Sequence, residues 1–515
     1  MAEIPLTGIA DNFIVPGQYA EILFAQGPAS VALGAREVCL VMPMTAAGTW
    51  TAGELYGPLK STGEASDGAG IGSPAHRAAK IFITANPGAK LFILPYAETV
   101  GGSPAKATAT VTWVTDPTDS GATTITLCGE AIKTVFSSSD TITTIAEAQV
   151  LAINAREHLP VTAANVAGVL TVTAKINGIS QGDGTTGVLR IRASIDSGIG
   201  TSVTASGAAL GLGTGAPGAE GTTTEAAQFA LALANLTAIR KYYIGSSLWD
   251  ATSLQSLALH VSTKSLPISG LRSVAVAAYT GALAAAQTLA TARNYERLQI
   301  VWQPNSEHDP AELVGNMLAI RQQKEQLYAA FNFDSYRGVN WLIAPVASAA
   351  DHMDPDDLND ALNDGLTPLQ SDGTGSYVVS SMTTRSKNQA GTVADSRASE
   401  SHRISVADQW TDQLLADISL TFGAQSLKDD ERDADGNINF NQKQQKDVIR
   451  PSRVRGFLAK ALDDGDDDRL LQEVAKSKAA IAVVKTGGRI ESGVDLHIID
   501  LAHQFTFRIA EVSGS

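Results

Sequence analysis

Glu431, Asp433, Asp435, Gly436, Ile438 and Asn439 lie in the run "ERDADGNINFNQ" at nearly the spacing of a calcium loop, where oxygen ligands recur at alternate positions around one cation. The closing position of such a loop needs a bidentate carboxylate and here holds Gln442, while the opening position holds Glu in place of Asp. The run therefore reads as a solvated polar loop. "DDGDDDR", residues 463–469, reads the same way, as a charged turn between two helical patterns. "DGAGIGS", residues 67–73, precedes a helical pattern as a phosphate cradle would, but it lacks the Lys-Ser/Thr pair that holds phosphate and magnesium. The glycines of "GLGTGAPG", Gly211 to Gly218, match a dinucleotide fingerprint in number only, since no strand turns directly into a helix there; the tract reads as a linker.

Nucleophilic catalysis needs a Ser on a strained Gly-x-Ser-x-Gly turn or a reactive Cys with a partner His, and neither context occurs. His76, His260, His308, His352 and His497 are scattered singly, without the His-x-x-x-His spacing of a zinc-binding helix, and read as surface or satisfied core residues. Cys39 and Cys128 are too few and too distant in sequence for a disulfide framework or a cysteine zinc site, as in a chain made in the cytosol. No catalytic, cofactor-binding or metal-ligating residue is assigned, and no cofactor is expected.

The elements around these residues are those of a large globular protein. A chain of 515 residues is long enough for roughly two to four domains. A net charge of −15 opposes nonspecific attraction to nucleic acid or an anionic membrane surface. The start "MAEIPLTGIADNF" has no basic segment followed by an apolar one, so it does not read as a signal peptide. The most membrane-like run, residues 273–292, is Ala- and Thr-rich and fits a strand followed by a helix.

From Glu37, short β-rich apolar runs alternate with helical patterns, the signature of βα units around a mainly parallel sheet. "EVCLVMP", "KLFILPY", "KYYIGSSL", "LRSVAVAAY", "RLQIVWQP" and "VNWLIAPVA" are its strands. One helix start is well marked: Asp309 can cap, Pro310 suits the first turn and Glu312 stands at the capping-box position. Leu313, Met317, Ile320, Leu327 and Phe331 then fall on one face. Residues 101–221 interrupt this alternation with Thr- and Ser-rich alternating runs and a single helix near residues 144–157, and read as an inserted β-rich domain. Beyond residue 350 come a short acidic helix, a helix stop at Gly365, a hairpin turning on Ser371, Asp372 and Gly373, and further helical patterns. The chain ends in a strand whose Phe505, Phe507 and Ile509 alternate with Thr506 and Arg508.

Five segments, taken in order, resemble contractile phage tail sheath proteins, closest to those of Mu-like phages. They are "IPLTGIADNFIVPGQYAEI", "ALNDGLTPLQSDGTGSYVVSSMTTR", "RISVADQWTDQLLADISLTFGAQSLKDD", "RPSRVRGFLAKAL" and "GGRIESGVDLHIIDLAHQFTFRIAEV". Ser381, Met382, Thr383 and Thr384 depart from the Gly-Ala-Arg-Thr type of strand seen in that family. The resemblance implies an α/β fold: a subtilisin-like sheath core (residues 23–100 and 222–349), the inserted β-rich outer domain (101–221), an α+β C-terminal sheath domain (350–502) and extended arms (1–22 and 503–515). It implies a non-enzymatic virion subunit, assembled in the host cytoplasm. Such a subunit pairs with copies of itself through the arms, in stacked hexameric rings around a tail tube protein, and meets baseplate and tail terminator proteins, with no nucleic-acid contact and no membrane insertion. Contraction would drive the tube through the host envelope for genome ejection. The same resemblance admits the sheath of a tailocin or secretion-type machine. A subtilisin-like hydrolase would need an Asp/His/Ser set that no motif supplies, and a carbohydrate-binding role for the insert would rest on its Thr/Ser content alone.

Overall fold

The computed structural model describes residues 36–182, 190–195, 208–209, 216–325, 341–343, 346, 352–371, 375–378, 382–385, 393, 399–422, 425–433, 435, 437–439, 448–468 and 470–499. Both expected arms lie outside these residues. So do Gly211, Leu327, Phe331, Asp372, Gly373, Ser381, Gly436 and Gln442.

The apolar runs become a seven-stranded sheet. Its members in chain order are β1 (Val38–Pro43), β2 (Leu91–Tyr96), β10 (Tyr243–Ser246), β11 (Val274–Tyr279), β12 (Leu298–Trp302), β13 (Leu366–Ser371) and β14 (Ser376–Val378). The spatial order is β14-β13-β12-β11-β10-β1-β2. Every pairing is parallel except β13 with the edge strand β14. Strands buried on both faces read as continuous apolar runs because alternate side chains enter different cores. Val38, Leu40 and Met42 enter one core, with Val274 and Val276. Cys39 and Val41 enter the other, with Ala275 and Ala277.

Helices α1 (Thr62–Ala69), α2 (Pro74–Ala85) and α7 (Pro310–Lys324) cover the first face. Helices α4 (Glu225–Asn235), α5 (Ala251–Lys264), α6 (Leu283–Arg293) and α8 (Pro355–Asn363) cover the second. Asp309 caps α7 as expected, accepting the Glu312 N–H at 3.0 Å, with Pro310 in the first turn. The single apolar face expected for α7 is an understatement, because Asn316, Arg321 and Gln322 are buried as well. Gly315 lets α2 approach α7: a Cβ there would lie 2.5 Å from the Ala78 carbonyl oxygen.

Between β2 and α4 the chain builds two antiparallel sheets. One is β3 (Lys106–Thr112), β7 (Val169–Asn177) and β6 (Val161–Val166), in the order β3-β7-β6. The other is β5 (Glu130–Phe136), β4 (Gly121–Leu127), β8 (Arg190–Ile195) and β9 (Ala208–Ala209), in the order β5-β4-β8-β9. With α3 (Ile142–Asn154), which begins two residues earlier than expected because Thr141 and Thr144 form a capping box, they enclose a separate core around Trp113, Ile125, Ile145 and Leu170. Two-residue turns with positive φ, Cys128-Gly129 and Ala167-Gly168, close the hairpins β4–β5 and β6–β7. Entry and exit strands pair where they leave the main sheet, at Val100 with Thr223 and Ala105 with Ala219.

Downstream lie α9 (Ser401–Phe422), β15 (Ser426–Leu427), β16 (Val448–Ile449), α10 (Pro451–Asp467), α11 (Val474–Ala479) and the hairpin β17 (Ala482–Thr486) and β18 (Arg489–Gly493). Their core holds Trp410, Phe422, Leu458, Leu462 and Leu471. Three expectations need correction. The segment from 350 is not one C-terminal unit, since α8, β13 and β14 belong to the main α/β layer and the separate core begins only within α9. Most of "DDGDDDR" is helix and not a turn: residues 463–467 are the end of α10, and Asp468 caps it. The described residues of the expected strand "VNWLIAPVA", Trp341 to Ile343 and Val346, are not in the sheet; the Trp341 N–H donates to the carbonyl of Ser376 in the edge strand β14 at 2.9 Å, and the Val346 N–H to the Ser371 hydroxyl at 3.0 Å. Among the described residues, no helix is long and apolar enough to cross a membrane.

Candidate functional site

The densest polar constellation lies along the amino ends of the parallel strands, where α9 crosses them. Arg297 immediately precedes β12, Arg272 stands two residues before β11, and Tyr242 precedes Tyr243, the first residue of β10. The Arg297 guanidinium donates both terminal nitrogens to Asp408 on α9, at 2.7 and 2.8 Å, and the Tyr242 hydroxyl donates to the same carboxylate at 3.0 Å. One turn on, Asp412 takes Arg272 and Arg240. Arg36 lies 4.0 Å above the Tyr242 ring and donates to the Ser405 carbonyl oxygen at 2.8 Å. From α7, Arg321 donates to Glu325 at 3.0 Å, to Gln299 at 3.0 Å and to the Ser405 hydroxyl at 3.0 Å, while the Tyr243 hydroxyl donates to Glu325 at 2.7 Å.

Asp408 is fully buried. Burial alone would raise its pKa; the guanidiniums of Arg297 and Arg272 outweigh it and hold the carboxyl below its ordinary value. Burial also pushes the Tyr242 phenol up, so it stays a neutral donor. Each acid thus faces a cation or a donor in fixed geometry. Such a network positions elements; it offers no group free to accept a proton from a substrate. Its place supports this, because ligands of doubly wound sheets bind at the carboxyl ends of the strands and this network lies at the amino ends.

At the carboxyl ends, the point where strand order reverses lies between β1 and β10, and the base of the inserted domain sits beside it. The Glu98 carboxylate accepts the Asn177 backbone and side-chain N–H groups, both at 2.9 Å, and Glu225 accepts from Ser180. Nearby, Arg77 of α2 donates to Asp309 at 2.6 Å and pairs with Glu312 at 2.8 Å, and His308 meets Glu312 at 2.5 Å. Burial would raise the Glu312 pKa, but Arg77 and His308 bring it down to about 2. Cys128, on its insert hairpin, lies against Arg77, and burial pushes its thiol up. Burial likewise pushes Cys39 up to about 12, so neither thiol is poised as a nucleophile.

The residues singled out by motif are held in local structure. Asp433 accepts the N–H groups of Asp435 and Asn437 at 3.1 and 2.8 Å, closing a turn, and Glu431 pairs with Arg450 at 3.0 Å and Lys428 at 3.2 Å. In "DGAGIGS", the Gly72 N–H donates to His76 Nδ1 at 3.1 Å and the Ser73 hydroxyl caps α2 by accepting the His76 N–H at 3.1 Å, so these groups serve the fold. Burial brings the imidazoles of His76 and His260 down to about 4. His352 contacts the Val346 carbonyl oxygen at 3.2 Å and His497 contacts Glu473 at 3.3 Å. Of the "GLGTGAPG" tract, Gly218 is wedged against the Gly178 carbonyl. Gly365 has φ +82°, and a Cβ there would lie 2.6 Å from the Thr383 oxygen, so the helix stop also fits the approach of residues 383–384. Sequence motifs missed the network itself. The signal that could have found it is a lone Arg within two residues of the start of each of two mainly apolar strands, Arg272 before β11 and Arg297 before β12.

These features define a mixed α/β protein: a mainly parallel sheet with several small sheets attached, and with polar clusters that fasten its parts together. No family model matches the chain, and no curated relative does. A solved structure to which it is similar is a sheath tail protein from Desulfitobacterium hafniense, 13% identical, with 96% of this chain aligned to the whole of that one at a TM-score of 0.42.

Proposed function

We propose that this chain is the structural subunit of a contractile tail sheath. It polymerises as stacked hexameric rings around a tail tube and shortens to drive the tube through the host envelope. Its α/β layer is the subtilisin-like sheath core, its insert faces outward, and its terminal arms link neighbouring copies. The tube, baseplate and terminator proteins are its partners, the virion tail its location and the host cytoplasm its place of assembly. It performs no catalysis.

One observation carries the reading. Two segments that resemble sheath proteins in sequence, "ALNDGLTPLQS" and "RISVADQWTDQLLADISLTF", become a helix end with β13 of the main sheet and the helix α9 that the buried network pins to that sheet. A subunit that transmits force must turn as a rigid body, and a bidentate, desolvated Arg–Asp pair between sheet and helix suits that task. Sedimentation of the purified full chain tests the reading: large polymers are expected. A species that stays monomeric under all assembly conditions and reacts with a fluorophosphonate at one serine would overturn it in favour of a hydrolase.

A further inference from the structure

The joint between the inserted domain and the α/β layer contains a buried carboxylate with no cation opposite it among the described residues. Glu225, the first residue of α4, is 2% exposed. One of its oxygens accepts the Ser180 hydroxyl at 2.6 Å and the other accepts the Ser180 N–H at 3.0 Å. Ser180 lies just past β7, so this is a contact of core with insert. It is also close-fitted: a Cβ on Gly178 would meet the Glu225 carboxyl carbon at 2.7 Å.

The groups facing Glu225 are of one sign or neutral. Glu220, in the exit strand, accepts the Glu225 N–H at 2.9 Å; Asp250 caps α5; and the Tyr96 ring of β2 packs on Phe229, one turn along α4, at 5.8 Å. Gln181 Oε1, a buried polar atom of the same joint, has no hydrogen-bond partner among the described residues. A proton on Glu225 fits this setting, because a neutral carboxyl keeps both contacts to Ser180 without a buried charge.

We infer that Glu225 is a proton-operated latch: protonated, it holds the inserted domain against the core, and ionised, it loosens the joint at residues 178–181. Burial raises its pKa most, the Ser180 hydrogen bonds partly offset this, and Glu220 reinforces it, which together place the midpoint at about 8. At pH 6, about one molecule in a hundred would carry the charge. The sign is opposite to that of a salt-bridged acid. The latch contributes fully below about pH 4.5, and its contribution is lost as the pH rises to about 8.

Amide hydrogen exchange on the full chain, corrected for the intrinsic rate, tests the latch at pH 6 and pH 9. Protection at Ser180 and its neighbours should fall by about a hundredfold across that interval, while α2 and β1 stay unchanged. Glu225→Gln keeps an acceptor for the Ser180 N–H and a donor to its hydroxyl, and should abolish the pH dependence. If the variant is too unstable to label, Ser180→Ala serves instead: it removes a bond that favours the charged form, so the midpoint should move up. Equal protection at both pH values in the natural chain, the same fall in Glu225→Gln, or an unmoved midpoint in Ser180→Ala would overturn the inference.

Discussion

Asp408 shows how much one side chain carries at the junction of sheet and helix. Replacing it with Ala leaves Arg297 buried without its two carboxylate acceptors and with only the Ser273 carbonyl oxygen, at 3.3 Å, to receive it. Removing one partner of a buried pair costs about 3–5 kcal/mol, and urea denaturation of D408A should register a loss of that size. Replacing Arg297 with Met and Asp408 with Leu together should cost much less, since no orphaned charge remains. The acid limb of stability belongs to the same residues. Asp408 and Glu312 both titrate below their ordinary values in the folded chain, so the unfolded chain takes up their protons first. Their contribution is complete above about pH 4.5 and drains away as the pH falls toward 2. Thermal melts followed by circular dichroism should therefore show a falling Tm between pH 5 and pH 3; a flat Tm would mean that these carboxylates hold nothing.

At the scale of elements, the crossing of α2 and α7 is set by Gly315. A side chain there meets the Ala78 backbone, which no rotamer change can relieve, so Gly315→Val should cost about 2–3 kcal/mol. Gly456 in α10 has nothing within 4 Å, and Gly456→Ala should instead stabilise by up to about 1 kcal/mol. Chemical denaturation of the two variants reads both signs.

The elements were the most legible part of the sequence. Apolar runs such as "VCLVMP" and the cap at Asp309 announce strands and helix starts locally, and both are found. Pairings between distant segments are not local. β13 joins β12 across the intervening helices α7 and α8, and Arg297 meets Asp408 from 111 positions away, so neither could be read from spacing. The acidic end of α10 misled for a different reason. Carboxylates near a helix C-terminus oppose the helix dipole. Here Lys460 pairs with Asp464 and Lys478 with Asp463, and Gly465 fits beneath Leu471 and Trp410, so the helix continues.

For the whole molecule, the two junctions have different characters. The amino ends of the sheet are closed by paired charges that survive at neutral pH, whereas the insert is fastened at the carboxyl ends by Glu98 on the N–H groups of Asn177 and by the neutral carboxyl inferred for Glu225 on Ser180. Under the proposed role, the sheet and α9 would move together while the insert can loosen. Under the proposed sheath role, linkage between copies belongs to the termini. Deleting about the first twenty residues, or the last dozen, should leave a folded monomer with an unchanged circular dichroism spectrum that no longer polymerises.

Assembly is decided by negative-stain electron microscopy of the purified chain. Sleeves or stacked rings with sixfold symmetry and an open central channel are the predicted result. Fields containing only isolated, compact particles, at every protein concentration and salt condition tried, would contradict it.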